Sequence, residues 1–471
     1  MPMPMPAALA LWPLLLAAMV HGHVQSDGGS NPALHPITPN HEIRTVHIVS
    51  QCHLDAGYKY PFVAEVASEW FSKWIPQSIA LSAKLRAAGG EVQHRWTMNP
   101  WFASFLLDCP AGNAVWEERN VYTGAPPAPA VSSFPLQCPN ASAVAEFKAA
   151  VKRGDISFYA SAFCSMYEYS DDSLLSWISE FVHSVGEMAG QPHRSTVASQ
   201  RDEPGITRSA IPLLVDAGVT GYVAGVDWAS PVAAVPRAFV WRDEASGKEL
   251  LMAWHNYGYG GGHSGAIPGL SPGASGPNIC QSQPAADGSA FSSGKWCNST
   301  ITVPGWDHAL ALFVQDDNEG PPTEAQLRHY FNQTRLMFPN ATSISSTTHE
   351  SFFDELAKVK HLLPVVTKEI GDTWVDTPPS DPLLAAQFRA LMRARKRCVA
   401  LMPAACNGSD TTSAFYNFSR FLIKNVEHDW GPEGSPVRIF LLAAQRLRCT
   451  ISHVFGSRTY TNEDVAFDLF A

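Results

Sequence analysis

The chain has 471 residues, of which 45% are hydrophobic and 16% charged, and its net charge is −10 at pH 7. This length and apolar content are sufficient for a large buried core, which excludes a disordered chain. The charge is spread along the sequence and the longest basic run is residues 393–397, so nucleic acid is not an expected partner.

The N-terminus and the sequons predict entry into the secretory pathway. The apolar stretch from Ala8 to Val20 has the length of a signal peptide, is short for a bilayer span, and is followed at once by polar sequence. We therefore expect residues 1–22 to be a signal peptide, the mature chain to have no membrane span, and the protein to be secreted or luminal. Six Asn-X-Ser/Thr sequons are expected glycosylation sites: Asn140, Asn298, Asn332, Asn340, Asn407 and Asn417.

Nine cysteines are consistent with an oxidising compartment. Three nearby pairs would close loops of modest size: Cys109 with Cys138, Cys280 with Cys297, and Cys398 with Cys406. The odd count leaves at least one thiol unpaired. Cys52, which precedes His53, is either a metal ligand or a small buried apolar side chain.

Short β-branched or aromatic runs alternate with amphipathic stretches along the chain. The predicted strands are Val46–Ser50, His94–Met98, Ile156–Ser161, Thr196–Ser199, Gly221–Ala224, Leu250–Trp254 and Ala309–Val314. The predicted helices between them are Val63–Ala88, Ala143–Arg153, Asp172–Met188 and Ile206–Ala217. This alternation is typical of a parallel sheet covered by helices, so we expect an α/β fold with a (β/α)7-type barrel over residues 45–360. Two later stretches, 372–398 and 413–426, predict a helical bundle region within residues 365–471.

Imidazole and carboxylate groups follow four of the predicted strands. In chain order they are His53 and Asp55, then Asp202 and Glu203, then His255, then Asp316 and Asp317. The carboxyl ends of parallel strands meet at one rim of a barrel, where the active sites of such barrels lie. Turns without a catalytic role favour glycine, asparagine, serine and proline. The pattern therefore predicts a metal site with catalytic acids, and plain polar capping of strand ends is the alternative.

The sequence His53-Leu54-Asp55 supplies the first two candidate metal ligands. Residues two apart in extended backbone point to the same side, so both side chains can reach one cation. Asp202 from a neighbouring strand would be the third ligand, and two oxygens with one nitrogen suit a borderline divalent ion such as Zn²⁺. The fourth ligand is expected from His428, in the loop sequence NVEHDWGPEG, for which an ordinary surface histidine is the alternative.

The motifs around these residues resemble those of the metal-dependent α-mannosidases of glycoside hydrolase family 38. Cys52 to Tyr58 follows the frame of the family's His-Ser-His-Asn-Asp-Pro-Gly-Trp, with His53 and Asp55 in the ligand places, and Gln200 to Thr207 is similar to Gln-Ile-Asp-Pro-Phe-Gly-His-Ser. Asp316-Asp317-Asn318 resembles the family's Asp-Asp-Phe, and Glu427-His428-Asp429 its His-His-Asp. The motifs keep the family's order over about residues 45–435. The chain departs from the family at Ala56, Tyr58, Glu203 and Ile206-Thr207, and it carries signatures of a divergent branch at His53, Glu369 and Glu427.

The resemblance implies a retaining glycosidase that acts on an α-linked carbohydrate. His53, Asp55, Asp202 and His428 would hold the metal, with Asp202 also the nucleophile and Asp317 the general acid. Tyr58 and Asp429 would contact the sugar, and His255 and Asp316, at strand ends of the same rim, are expected substrate contacts as well. Family members continue into β-rich domains, so a C-terminal β domain is expected to be missing or truncated.

Two other functions fit the same pattern. A metal-dependent carbohydrate deacetylase would use His and Asp ligands to activate water and would need no carboxylate nucleophile. A catalytically silent carbohydrate-binding protein would keep the metal ligands without turnover. Trapping of a glycosyl ester on Asp202 would exclude the first alternative, and hydrolysis of an aryl glycoside would exclude the second.

Overall fold

The computed structural model describes residues 39–56, 63–109, 115–116, 134–203, 206–226, 233–255, 264–266, 275–277, 300–314, 320–371 and 382–428. The predicted signal peptide, the Cys280 and Cys297 pair, and residues 372–381 of a predicted helix lie outside these ranges.

Strands and helices alternate along the described part of the chain. The strands are β1 Thr45–Gln51, β2 Trp96–Met98, β3 Val115–Trp116, β4 Phe134–Pro135, β5 Ile156–Phe158, β6 Val197–Glu203, β7 Gly221–Val226, β8 Ala238–Arg242, β9 Glu249–His255, β10 Ser264–Ala266, β11 Ser275–Pro277, β12 Thr300–Thr302, β13 His308–Val314, β14 Ser343–Ser346 and β15 Val365–Val366. The α-helices are α1 Val63–Glu69, α2 Ile75–Ala88, α3 Pro100–Leu107, α4 Ala141–Arg153, α5 Asp172–Ala189, α6 Ile211–Asp216, α7 Glu324–Met337, α8 His349–Lys358, α9 Pro382–Leu401 and α10 Ala414–Leu422. A π-helical turn, Trp70–Trp74, joins α1 to α2, and short 3₁₀ turns occupy Tyr167–Tyr169, Arg208–Ala210, Lys360–Leu362 and Ile423–Val426.

All seven strands expected from the sequence are present, as β1, β2, β5, β6, β7, β9 and β13. Each pairs in parallel with at least one neighbour, in two sheets of order β12-β13-β1-β2-β5 and β15-β8-β9-β7-β6. The sequence did not indicate β8 and β12, which add to β9 and β13 in antiparallel fashion. The edges of the two sheets meet where the Ala160 amide donates to the Val197 carbonyl at 2.8 Å. The fold is thus mixed α/β with parallel sheets and flanking helices, as predicted.

The inner faces of the two sheets share one apolar core. Val49 of β1, Val197 of β6, Val223 of β7 and Leu251 of β9 all belong to it, and Phe352, Phe353 and Leu356 of α8 pack against them. Full burial of each such side chain contributes about 1.5–3 kcal/mol. Gly221 permits this packing, because a Cβ at that position would overlap the ring of Phe353.

The outer faces carry separate apolar clusters under the helices. Val46 and Ile48 of β1 pack against Leu85 of α2 and Leu327 of α7, and Tyr222 of β7 belongs to the cluster on the other sheet. Because successive side chains of a strand point to opposite faces, Val49 and Gln51 of β1 share the inner face. By the same alternation the inner row of β6 runs from Val197 through Ser199 to Arg201. The inner faces therefore change from apolar to polar towards the carboxyl ends of the strands.

Helix termini and disulfides follow the sequence signals. The Asp171 side chain accepts a hydrogen bond from the Leu174 amide at the start of α5, and α5 ends at Gly190 with φ 82°. Two of the expected cysteine pairs are in disulfide bonds, Cys109–Cys138 and Cys398–Cys406, each with a Cα–Cα separation of 5.8 Å. Cys52 is buried with a free thiol, as expected for a small apolar side chain. The division into a barrel and a helical region stays a prediction. None of the described helices has the length and apolar character needed to cross a membrane.

His94 is a buried histidine that is held neutral. It precedes β2, and its Nε2 lies 3.1 Å from the Ser78 hydroxyl of α2. Burial lowers the pKa of His94 to about 3, and the nearby Asp155 only partly offsets this effect. The folded protein therefore binds fewer protons at this position than the unfolded chain does below pH about 6.5.

We predict that His94→Gln reduces the acid sensitivity of folding. The pKa of His94 is lower in the folded protein than in the unfolded chain. The free energy of unfolding therefore starts to fall when the pH drops below the pKa of the unfolded chain, and it continues to fall until the pH reaches the pKa of the folded protein. The variant should lose about 2 kcal/mol less unfolding free energy than the wild type between about pH 7.5 and pH 5, measured by urea denaturation. His193→Gln, at an exposed histidine, is the control. Equal pH dependence in wild type and His94→Gln would contradict the prediction.

Candidate metal centre

Four predicted metal ligands meet at the carboxyl ends of β1 and β6. His53, Asp55, Asp202 and His428 form what we term the four-ligand cluster, in which one donor atom of each residue lies within 4.8 Å of the others. His53, Asp55 and His428 are at most 2% exposed, and the Asp202 side chain is 15% exposed. The structure therefore brings together all four residues of the predicted ligand set.

Both imidazole rings direct Nε2 towards the same carboxylate oxygens. His53 Nε2 lies 2.6 Å from Asp55 Oδ1 and 3.5 Å from Asp202 Oδ2. His428 Nε2 lies 3.4 Å from Asp55 Oδ1 and 3.5 Å from Asp202 Oδ2. The two rings meet edge to face, with centroids 5.2 Å apart. Two nitrogens and two carboxylates thus surround one common point.

A β-bulge positions Asp202. β6 continues through Glu203, four residues beyond the predicted end at Ser199, and its register with β7 shifts between Arg201 and Glu203. Asp202 has φ 64° and is the one non-glycine residue with positive φ in the described part of the chain. Aspartate tolerates this left-handed conformation better than most residues, although it still costs on the order of 1–3 kcal/mol. The bulge turns the Asp202 carboxylate towards His53 and His428.

The C-terminal helical segment supplies His428. The His428 amide donates to the Cys164 carbonyl at 3.2 Å, and the Met166 amide donates to the Val426 carbonyl at 2.7 Å. The indole of Trp101 on α3 donates to the backbone carbonyl of Arg420 on α10 at 2.9 Å. These contacts fix the backbone that carries His428.

Two residues that the sequence did not single out as functional orient the histidine ligands. Glu427 Oε1 lies 2.8 Å from His428 Nδ1, and its other oxygen is 3.1 Å from Lys424 Nζ. The Cys164 thiol lies 3.8 Å from His53 Nδ1 and accepts from the Arg201 amide at 3.2 Å. Carboxylates behind metal-binding histidines commonly set the tautomer and direction of the ring. The sequence placed Glu427 in the motif Glu427-His428-Asp429 and among the signatures of a divergent branch, but gave it no role.

The electrostatics of the cluster fit a divalent cation. Burial by itself raises the pKa of Asp55 and of Asp202, but the charge and hydrogen bonds of His53 and His428 outweigh it and hold both below the ordinary carboxyl value. Burial likewise lowers the pKa of His53, yet the two aspartates raise it well above its usual range. A proton on His53 therefore offsets part of the negative charge of the buried carboxylates. A cation can supply the positive charge instead and take the Nε2 lone pairs as ligands, so the donor set fits a metal ion.

The predicted substrate contact His255 is not a member of the four-ligand cluster. It is the last residue of β9, is fully buried, and its Nδ1 accepts a hydrogen bond from Nη1 of Arg201 at 3.1 Å. Burial, followed by the charges of Arg201 and Arg237, holds the pKa of His255 well below its ordinary value, so the ring is neutral. The other predicted catalytic and substrate residues, Tyr58, Asp316, Asp317 and Asp429, lie outside the described residues.

Five of the six sequons fall in the described part of the chain. Asn140, Asn332 and Asn407 are exposed, and Asn340 and Asn417 are half-buried, whereas Asn298 lies outside the described residues. The Asn140 Oδ1 caps α4 by accepting from the Ala143 amide at 2.9 Å. Glycosylation of Asn140 stays a prediction.

The fold is similar to those of solved glycoside hydrolases. An α-mannosidase from Enterococcus faecalis V583 aligns with a TM-score of 0.52 at 12% sequence identity, over 88% of this chain and 42% of that chain. A glycosyl hydrolase family 38 protein from Enterococcus faecalis aligns with a TM-score of 0.46 at 14% identity, over 88% of this chain and 39% of that chain. This chain thus spans about two fifths of the length of these proteins. No protein-family model matches the sequence, and no curated protein matches it. The comparisons show a glycoside-hydrolase type of fold.

We predict that His53→Ala abolishes stable zinc binding. Removal of one imidazole leaves three ligands, whereas the wild type should retain about one Zn²⁺ per chain after dialysis. Metal content measured by atomic emission spectroscopy tests this, and the far-ultraviolet circular dichroism of the metal-free proteins should stay alike. His193→Ala, at an exposed histidine, should bind zinc as the wild type does. Undiminished zinc in His53→Ala would remove His53 from the ligand set.

Proposed function

We propose that this chain is a metal-dependent retaining glycoside hydrolase of the secretory pathway that cleaves an α-linked, mannose-type glycan. The observation that carries the proposal is the four-ligand cluster, in which a strained aspartate on a strand bulge faces two buried histidines. The fold supports a glycosidase, and the mannosidase name of a protein with a similar fold motivates mannose as the first sugar to test.

Zn²⁺ is the proposed cation, with His53, Asp55, Asp202 and His428 as its ligands. Two imidazole nitrogens and two carboxylates suit this borderline ion. When bound, it supplies Lewis acidity towards neighbouring hydroxyl groups of the sugar. Glu427 and Cys164 keep the two rings aligned from behind.

In the proposed mechanism Asp202 is the nucleophile and Asp317 the general acid and base. A carboxylate oxygen of Asp202 bonds to the anomeric carbon as the glycosidic bond breaks, and the departing oxygen takes the proton of Asp317. Asp317 then removes a proton from water, whose oxygen displaces Asp202 from the same carbon. Two displacements at one carbon give retention of configuration.

The low pKa of Asp202 suits the role of nucleophile. His428 and His53 hold its carboxylate in the ionised form despite its burial, so no base is needed to activate it. Tyr58, His255, Asp316 and Asp429 are the proposed sugar contacts. Passage through the secretory pathway is proposed from the sequons and the apolar N-terminus, and the disulfides Cys109–Cys138 and Cys398–Cys406 are compatible with it.

We predict that Asp202→Asn lowers kcat for an aryl α-mannoside by about 10³-fold or more. The amide keeps an oxygen for the metal but cannot attack the anomeric carbon, so zinc content should change little. A 2-fluoro mannosyl fluoride should label Asp202 in the wild type, detected by peptide mass spectrometry. Asp216→Asn, at an exposed aspartate paired with Lys248, is the matched control and should retain full activity.

Other outcomes of this experiment would contradict the proposal. Full turnover by zinc-loaded Asp202→Asn would exclude Asp202 as the nucleophile. Acetate release from N-acetylated sugars without any cleavage of glycosides would instead identify a deacetylase. Tight sugar binding without turnover of any α-linked aryl glycoside would identify a carbohydrate-binding protein.

A further inference from the structure

Arg201 is a cation buried on the inner face of β6, one residue before Asp202. It is 1% exposed, and Ser199, two residues earlier on the same face, donates from its hydroxyl to Gln51 Oε1 of β1 at 3.1 Å. The guanidinium keeps its charge at neutral pH. A full positive charge therefore lies in the polar end of the inner core, on the residue that precedes the candidate ligand Asp202.

One edge of this guanidinium is unused. Nη1 donates to His255 Nδ1 at 3.1 Å, whereas Nε and Nη2 have no hydrogen-bond partner among the described residues. Nε and Nη2 lie on the same edge of the planar group, and their parallel N–H bonds match two oxygens of one oxyanion. The contact with His255 leaves that edge open and fixes the plane of the group.

No described carboxylate compensates the charge of Arg201. In the described part of the chain it forms no ion pair, and the groups that raise its pKa against the effect of burial are Cys164, Tyr159 and Tyr222. Arg237 adds a second positive charge close enough to lower the pKa of His255. A buried charge without a partner is strongly unfavourable, so a natural chain retains one where a ligand supplies the counter-charge.

The position of Arg201 links it to the candidate metal centre. Its amide donates to the Cys164 thiol at 3.2 Å, and that thiol lies 3.8 Å from His53 Nδ1. Asp202, the next residue, is turned towards the cluster by the bulge, while the Arg201 side chain lies against His255 of β9. Arg201 and the candidate ligand Asp202 are therefore consecutive residues at the carboxyl end of β6, and the backbone of Arg201 is joined to His53 through the Cys164 thiol.

We propose that the Nε and Nη2 edge of Arg201, positioned by His255, binds an oxyanion carried by the substrate sugar. The chemical class is an acidic sugar, with either a uronic-acid carboxylate or a sulfate ester. That the ligand is a sugar rests on the proposed glycosidase function, and that the ligand is negatively charged rests on the unpaired guanidinium edge. It assigns a substrate preference that a neutral mannoside would not satisfy.

The test compares charged and neutral ligands in zinc-loaded wild type and Arg201→Met. Calorimetry should show D-mannuronate or D-mannose 6-sulfate binding to the wild type about tenfold or more tightly than D-mannose. Tighter binding of mannuronate would identify a carboxylate as the preferred group, and tighter binding of mannose 6-sulfate would identify a sulfate ester. The preference should vanish in Arg201→Met and weaken in Arg201→Lys, which keeps the charge but loses the paired donors. Arg95→Met, at an exposed arginine, should leave it unchanged.

Thermal unfolding provides the second readout. Removal of an uncompensated buried charge should leave the Tm of ligand-free Arg201→Met equal to or above that of the wild type. A Tm lowered by more than the loss of the single hydrogen bond to His255 accounts for would mean that the chain itself pairs the charge of Arg201. This result would overturn the proposal, as would an equal preference for acidic sugars in wild type and Arg201→Met.

Inorganic sulfate separates this inference from the proposed function. At matched ionic strength, millimolar sulfate should raise the Tm of the wild type more than that of Arg201→Met. Such a difference, in a protein that hydrolyses neither neutral nor acidic aryl α-glycosides, would refute the proposed function and retain the anion site. Turnover of the mannoside with no difference in sulfate response and no acidic preference would refute the anion site alone.

Discussion

The cost of holding charged groups away from water governs this part of the molecule. Two aspartates and two histidines lie within one small volume, nearly all of them buried. Behind His428 comes the buried Glu427, and behind Glu427 the partly exposed Lys424. Negative and positive groups thus alternate from the centre outwards to solvent. Within the four-ligand cluster and the Glu427–Lys424 pair behind it, each charge has a neighbour of opposite sign, which is the arrangement that makes such burial tolerable.

Two adjacent residues of β6 carry opposite charges into different surroundings. The bulge between Arg201 and Glu203 breaks the strict alternation of the strand, so Asp202 faces the histidines while Arg201 keeps the inner row begun by Val197. A regular strand would have placed the carboxylate on the opposite face from the guanidinium, among the outer apolar residues. The left-handed backbone of Asp202 is the conformational cost of this arrangement.

Much of the fold and of the ligand set followed from local patterns. Short β-branched runs marked all seven parallel strands, and the spacing of His53 and Asp55 suited one shared target. β6 was predicted to end at Ser199 because Gln200, Arg201 and Asp202 are polar, yet all are part of the strand and nearly buried. Apolar periodicity fails where the inner face of a strand is itself polar. The contact between the Cys164 thiol and His53 could not be predicted, because 111 residues separate the two, and the sequence marked Glu427 without indicating that its carboxylate contacts His428 Nδ1.

The cluster joins segments that are far apart in sequence. The Ala56 amide lies 3.4 Å from Glu427 Oε1, although 371 residues separate the two. An ion bound by both His53 and His428 would link two segments that are far apart in the chain. Its binding free energy would add to the free energy that holds the C-terminal helices in place. A chain in which those helices have not yet docked offers three ligands and holds the ion weakly. Tight binding of the ion would therefore require that the C-terminal helices have already folded against the rest of the chain.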